Sequence, residues 1–122
     1  MDTHKDLIVW KKGIELVKNV YAITNAFPKS EQFGLTSQMR RCAVSIPSNI
    51  AEGCGRNSDK ELVYFLYVAL GSSSELETQI IISVELNLLE KEKATECLNL
   101  LNEIIRMITS LIKSIKTRKC NL

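Results

Sequence analysis

Glycine and proline are scarce in this sequence, five and two among 122 residues. An all-β or α/β chain of this length needs many more turn signals, so long elements with few connections are expected. Histidine occurs once, at His4, and the four cysteines, Cys42, Cys54, Cys97 and Cys120, include no Cys-x-x-Cys pair. That pattern is not zinc spacing, and metal and phosphate-loop motifs are absent, so neither metal nor cofactor is expected. The most apolar segment, Gln79 to Leu89, is interrupted by Ser83, Glu85 and Asn87. It falls well short of the roughly 20 residues a bilayer requires, and no membrane partner is expected. The first residues are polar, with no apolar stretch of signal-peptide type behind them. Cys42 and Cys97 fall on apolar helical faces, where a reduced thiol behaves as a small hydrophobe, and the reading is a cytoplasmic protein.

Core-forming material is plentiful: 45% of residues are hydrophobic and 25% charged. Residues 1–122 are read as one domain with one core. The net charge of +2 hides three blocks. Residues 1–56 hold eight Lys/Arg against five Asp/Glu, residues 57–90 one against six, and residues 91–122 seven against three. An acidic helix flanked by basic ones either satisfies charge within the fold or leaves basic faces for a polyanion.

Apolar residues at spacings of three and four predict four helices, over about 5–27, 35–53, 58–87 and 91–117. The first carries two rows, Leu7, Trp10, Ile14, Val17 and Tyr21 beside Leu16, Val20, Ile23 and Phe27, and should end at Phe27 because Pro28 follows. The second uses Leu35, Met39, Cys42, Ile46 and Ile50; Pro47 within it predicts a kink, and Gly53 with Gly55 an end. The third begins at a cap of Asn57 or Ser58, Glu61 completing a capping box with Ser58, and stops where Asn87 can take the left-handed conformation. The fourth also carries two rows, Ala94, Leu98, Leu101, Ile105, Ile108, Ile112 and Ile115 beside Cys97, Leu100, Ile104, Met107 and Leu111. Short connections make neighbours antiparallel, giving an all-α, up-down-up-down four-helix bundle. Double rows on the first and fourth helices argue for self-association.

An ordered string of motifs accompanies these helices: Val9-Trp10-Lys11-Lys12, Phe27-Pro28, Phe33-Gly34-Leu35-Thr36-Ser37-Gln38, Arg40-Arg41, Ser45 to Gly53, and Gly71 to Gln79. Over about residues 7–89 it resembles the four helix bundle protein family, which includes proteins encoded in intervening sequences of bacterial 23S rRNA genes. Helix 4 matches only in character, and Asn87 stands where a Gly is expected. The resemblance implies a ring-shaped homopentamer. It also implies kinship with the accessory variability protein of diversity-generating retroelements, which binds nucleic acid and a reverse transcriptase.

Arg40, Arg41 and Arg56, backed by Lys11, Lys12 and Lys18, form the candidate basic surface, since guanidinium groups on a rigid helix suit phosphate oxygens. The competing reading pairs one arginine with Glu52, Glu75 or Glu77 to fix helix 2 against helix 3. Lys113, Lys116, Arg118 and Lys119 either complement the helix dipole or contact RNA as a basic tail. Pro47, Asn49, Glu52, Gly53, Glu75 and Glu77 read as a structural motif: Ser45, Ser48 and Asn49 serve backbone groups near the proline, and a nucleophilic serine would lack a base. The aromatics Trp10, Tyr21, Tyr64, Phe65 and Tyr67 are assigned to core or interface rather than to base stacking. The function reached is a non-enzymatic homo-oligomeric accessory protein, pentameric by the resemblance, binding RNA or DNA and best suited to structured RNA. The alternative is a scaffold that recruits a protein partner such as a polymerase.

Overall fold

The computed structural model describes residues 3–120, with side chains through Arg118. Four helices dominate: α1 (Ile8–Thr24), α2 (Leu35–Cys54), α3 (Asp59–Glu85) and α4 (Lys91–Cys120), with no strand among the described residues. The all-helical class expected from the periodic rows is the class observed.

Helix ends follow local chemistry. The chain does not enter α1 at residue 5 because Thr3 and Asp6 cap a separate 3-10 turn, His4–Asp6, and Leu7 is extended. α1 stops at Thr24, three residues before Phe27. Residue 28 is proline and offers no N–H to the Thr24 carbonyl, which instead accepts from Phe27 N at 3.0 Å. α3 starts where Ser58 Oγ accepts from Glu61 N at 3.2 Å, and it ends at Glu85, with Asn87 at φ 60°. A second 3-10 turn, Lys29–Glu31, bridges α1 and α2. α2 continues across Pro47 to Cys54.

Each helix packs on two others: α1 and α3 both lie against α2 and α4. Contacts between α2 and α3 run in opposite senses. Met39 meets Ser83 and Ser45 meets Ser72, while a Cβ on Gly53 would strike Leu62 and Phe65. Leu16 and Val20, Met39, Ile46 and Ile50, Leu66, Leu76 and Ile80, and Leu101, Ile104 and Ile108 are fully buried between the helices. Burying such a side chain contributes about 1.5–3 kcal/mol.

Two glycines set helix spacing. A Cβ on Gly13 would lie 3.1 Å from Pro47 Cβ, and one on Gly53 would lie 3.0 Å from Phe65 Cβ and 3.2 Å from the Leu62 carbonyl. Pro47 is therefore buried against α1.

The apolar rows distribute differently from the sequence expectation. In α1 and the turn after it, Leu16, Val20 and Phe27 of one row are buried, whereas Ile14 and Tyr21 of the other are exposed. In α4 the two rows merge into one broad face: Leu98, Leu100, Ile105, Met107 and Leu111 are half-buried against the core. None of the exposed large apolar side chains among the described residues lies on α4. The surplus on α4 is thus absorbed by its own bundle, because its neighbours cover a stripe wider than a single heptad seam.

Candidate functional site

Arg40 and Arg41 sit one turn into α2, where consecutive side chains diverge by about 100°. Arg40 turns toward α1. Its Nε donates to Thr24 Oγ1 at 2.9 Å, and its guanidinium lies 4.5 Å from the centroid of the Tyr21 ring. Thr24 is itself held by donating to the Val20 carbonyl at 2.7 Å, so the arginine rests on a fixed support. Arg41 is exposed. Together with Tyr21, Gln32, Thr36, Ser37 and Val44 the two arginines line an open groove of about 480 Å³ between α1 and α2. Neither pairs with Glu52, Glu75 or Glu77 among the described residues. Arg56 does so instead, reaching Glu52 at 2.8 Å and Glu61 at 3.7 Å while lying 4.9 Å from the Phe65 ring centroid. The pin at the α2–α3 turn is therefore Arg56, which is separated from the groove.

The other cations divide in the same way. Lys12 pairs with Glu103 of α4 at 2.8 Å, a hydrogen bond that raises its pKa above the ordinary lysine value. Arg118 reaches Asp59 at 3.2 Å. Lys11, Lys18 and Lys113 are exposed and have no carboxylate partner among the described residues. Lys116 Nζ donates to Tyr67 Oη at 3.0 Å. Lys119 lies in α4, with its side chain outside the described residues.

The residues around Pro47 form a hydrogen-bonded seam between α2 and α3. Asn49 Nδ2 donates to the Ser45 carbonyl at 2.8 Å and to Ser45 Oγ at 2.9 Å, and Ser45 Oγ lies 2.8 Å from Ser72 Oγ. Nearby, Gln79 Nε2 donates to Glu75 Oε2 at 3.4 Å, leaving its buried Oε1 without a partner. Glu77 is half-buried and unpaired among the described residues. His4 is packed edge-on against Trp10, ring centroids 5.2 Å apart, at the far end of α2 from Arg40. Burial, then the adjacent Glu75, pushes the Cys42 thiol up to about 11, and burial alone does the same to Cys97. Such thiols are poor nucleophiles near neutral pH. No group of His, Cys, Asp and Glu is placed to hold a metal, and no helix is long and apolar enough to cross a membrane, among the described residues.

Tyr64 and Tyr67, expected in core or interface, lie outside the core, 61% and 48% exposed. The signal was present in the lack of acid around them. No Asp or Glu occurs from Leu62 to Ser74, and from Ile104 to Cys120 there are five Lys/Arg and no acid. The acidic residues of α3 thus separate into a first-turn pair, Asp59 and Glu61, held by arginines, and a second group from Glu75 onward.

A family model described as 23S rRNA-intervening sequence protein matches residues 5–110. No curated protein matches the sequence. Among solved structures, a protein of unknown function from the S23 ribosomal protein family of Bacteroides thetaiotaomicron VPI-5482 superposes with a TM-score of 0.78. The two are 24% identical, with 87% of this chain and 99% of that one covered. At that identity the likeness establishes the fold.

Proposed function

Because this chain belongs to the 23S rRNA-intervening sequence protein family, we propose that it is a non-enzymatic, homo-oligomeric accessory protein that binds structured RNA through the groove between α1 and α2. The observation that carries this reading is the pair Arg40 and Arg41, cations without a carboxylate partner among the described residues, one of them held by Thr24 and Tyr21. A guanidinium fixed in this way loses little further freedom when it meets a phosphate. Groove contacts of this kind address the backbone rather than base edges, so affinity is electrostatic and weakly sequence-specific. Repetition of the groove in each subunit of a ring, five by the family resemblance, would add avidity. Kinship with the accessory variability protein of diversity-generating retroelements and a cytoplasmic location belong to the same reading; the free thiols Cys42, Cys54 and Cys97 fit a reducing compartment.

Titration of a labelled structured RNA at several salt concentrations tests it. Tight binding at low salt, a steep salt dependence, and a log-log slope shallower by about one in Arg41→Ala are expected. Absence of binding at low salt sinks the reading. Light scattering coupled to size exclusion tests assembly, since a mass near the 13.8 kDa monomer contradicts a ring.

A second reading, a scaffold that recruits a protein such as a polymerase, draws on Phe33, 89% exposed before α2, and on Ile82 and Leu86 at the end of α3. A pull-down that survives nuclease treatment and is lost in Phe33→Ala would favour it.

A further inference from the structure

We propose that the acid-free face formed by the first half of α3 and the last turns of α4 is a stacking platform for unpaired bases of a single-stranded nucleic acid. At about 100° per residue, Lys60, Tyr64 and Tyr67 fall within an arc of about 60° on α3. The two tyrosines stand one turn apart and present their rings to solvent, 61% and 48% exposed. Lys116 crosses from α4 to donate to Tyr67 Oη at 3.0 Å and lies 5.1 Å from that ring's centroid, which fixes the phenol and places a cation at its edge. Lys113 is exposed one turn earlier on the same rim of α4. Beyond Tyr67 the face is clear: a Cβ on Gly71 would meet nothing within 4 Å.

Charge selects the occupant. The nearest acids, Asp59 and Glu61, are engaged by Arg118 and Arg56, which leaves Lys60, Lys113 and Lys116 to set the potential over the two rings. A polyanion suits this face, and planar groups suit exposed aromatic rings; an acidic peptide would satisfy the lysines and leave the rings without planar partners. A duplex hides its bases, whereas every unpaired base offers a π-face whatever its sequence. The platform lies on a different pair of helices from the groove of Arg40 and Arg41. It shares with the proposed function only the premise that this protein meets nucleic acid.

The test compares binding of a labelled oligouridylate and a blunt RNA duplex of equal length, by anisotropy at low salt, to the full chain and its variants. Tyr64→Ala and Tyr67→Ala are expected to weaken oligouridylate binding by about tenfold and to change duplex binding less than about twofold. Tyr64→Phe, which keeps the ring, should bind oligouridylate like the parent. Arg41→Ala should weaken duplex binding more than oligouridylate binding. Unchanged oligouridylate affinity in Tyr64→Ala and Tyr67→Ala overturns the platform, and if Arg41→Ala still weakens the duplex the groove reading survives alone. Oligouridylate binding that depends on Tyr64, with no duplex binding by the parent, supports the platform and removes the groove. A drop in oligomer mass in Tyr64→Ala identifies the face as a contact between copies and also overturns the proposal.

Discussion

Single atoms decide several features of this molecule. Gly53 tolerates no Cβ because the carbonyl of Leu62, a backbone atom in α3, would lie 3.2 Å away and cannot turn aside. Gly53→Ala should lower stability by about 1 kcal/mol or more, overpacking outweighing the gain in helix propensity. Gly71 has open space where its Cβ would be. Gly71→Ala should therefore raise stability by about 1 kcal/mol, and opposite shifts in urea midpoint for the two substitutions check both statements. The same scale shows what the sequence could and could not reveal about the site. That Arg40 and Arg41 point apart followed from helical geometry. Their partners did not: Thr24 is sixteen residues from Arg40, and an aliphatic row with a threonine at its end gives no sign that its hydroxyl will receive a guanidinium. For Arg56 the sequence leaves open a basic surface or a pairing of one arginine with Glu52, Glu75 or Glu77, and it does not announce that Glu52 and Glu61 both turn toward it.

Among the helices, termini signalled by a local hydrogen bond were legible, and those set by competition between bonds were not. Ser58 and Glu61 announce the start of α3, and the structure places Ser58 Oγ on Glu61 N at 3.2 Å. Ser58→Ala should cost about 1 kcal/mol, read as a lower urea midpoint with unchanged slope. Asn87, at φ 60°, supplies the left-handed residue after α3. By contrast, α1 ends three residues early because Pro28 withholds a donor from Thr24, and it begins late because Thr3 and Asp6 form a turn of their own. α4 shows the limit of counting rows. Two parallel apolar rows look like a core seam and a spare interface, yet both belong to one wide face once α1 and α3 lie on either side. The exposed apolar side chains fall on α1, where the double row argues for an interface, and on α2, α3 and the segment before α2, where periodicity places none.

For the whole molecule, stability should depend on alkaline pH through the buried thiols. An unfolded cysteine ionises near 9.0, whereas Cys42 and Cys97 hold their protons up to about 11. Their contribution is therefore fully present below pH 9.0 and is lost between there and about 11, as the unfolded chain gives up protons that the folded chain retains. Thermal melts across this window should show a falling Tm, and Cys42→Ala with Cys97→Ala should flatten the fall. The uneven placing of charge along the bundle has a kinetic consequence. Lys60, Lys113 and Lys116 stand near the start of α3 and the end of α4, whereas Arg40 and Arg41 stand at the start of α2, so the bundle presents a basic patch toward each end. A polyanion diffusing toward either patch is attracted before any contact forms, so the encounter rate carries the salt dependence.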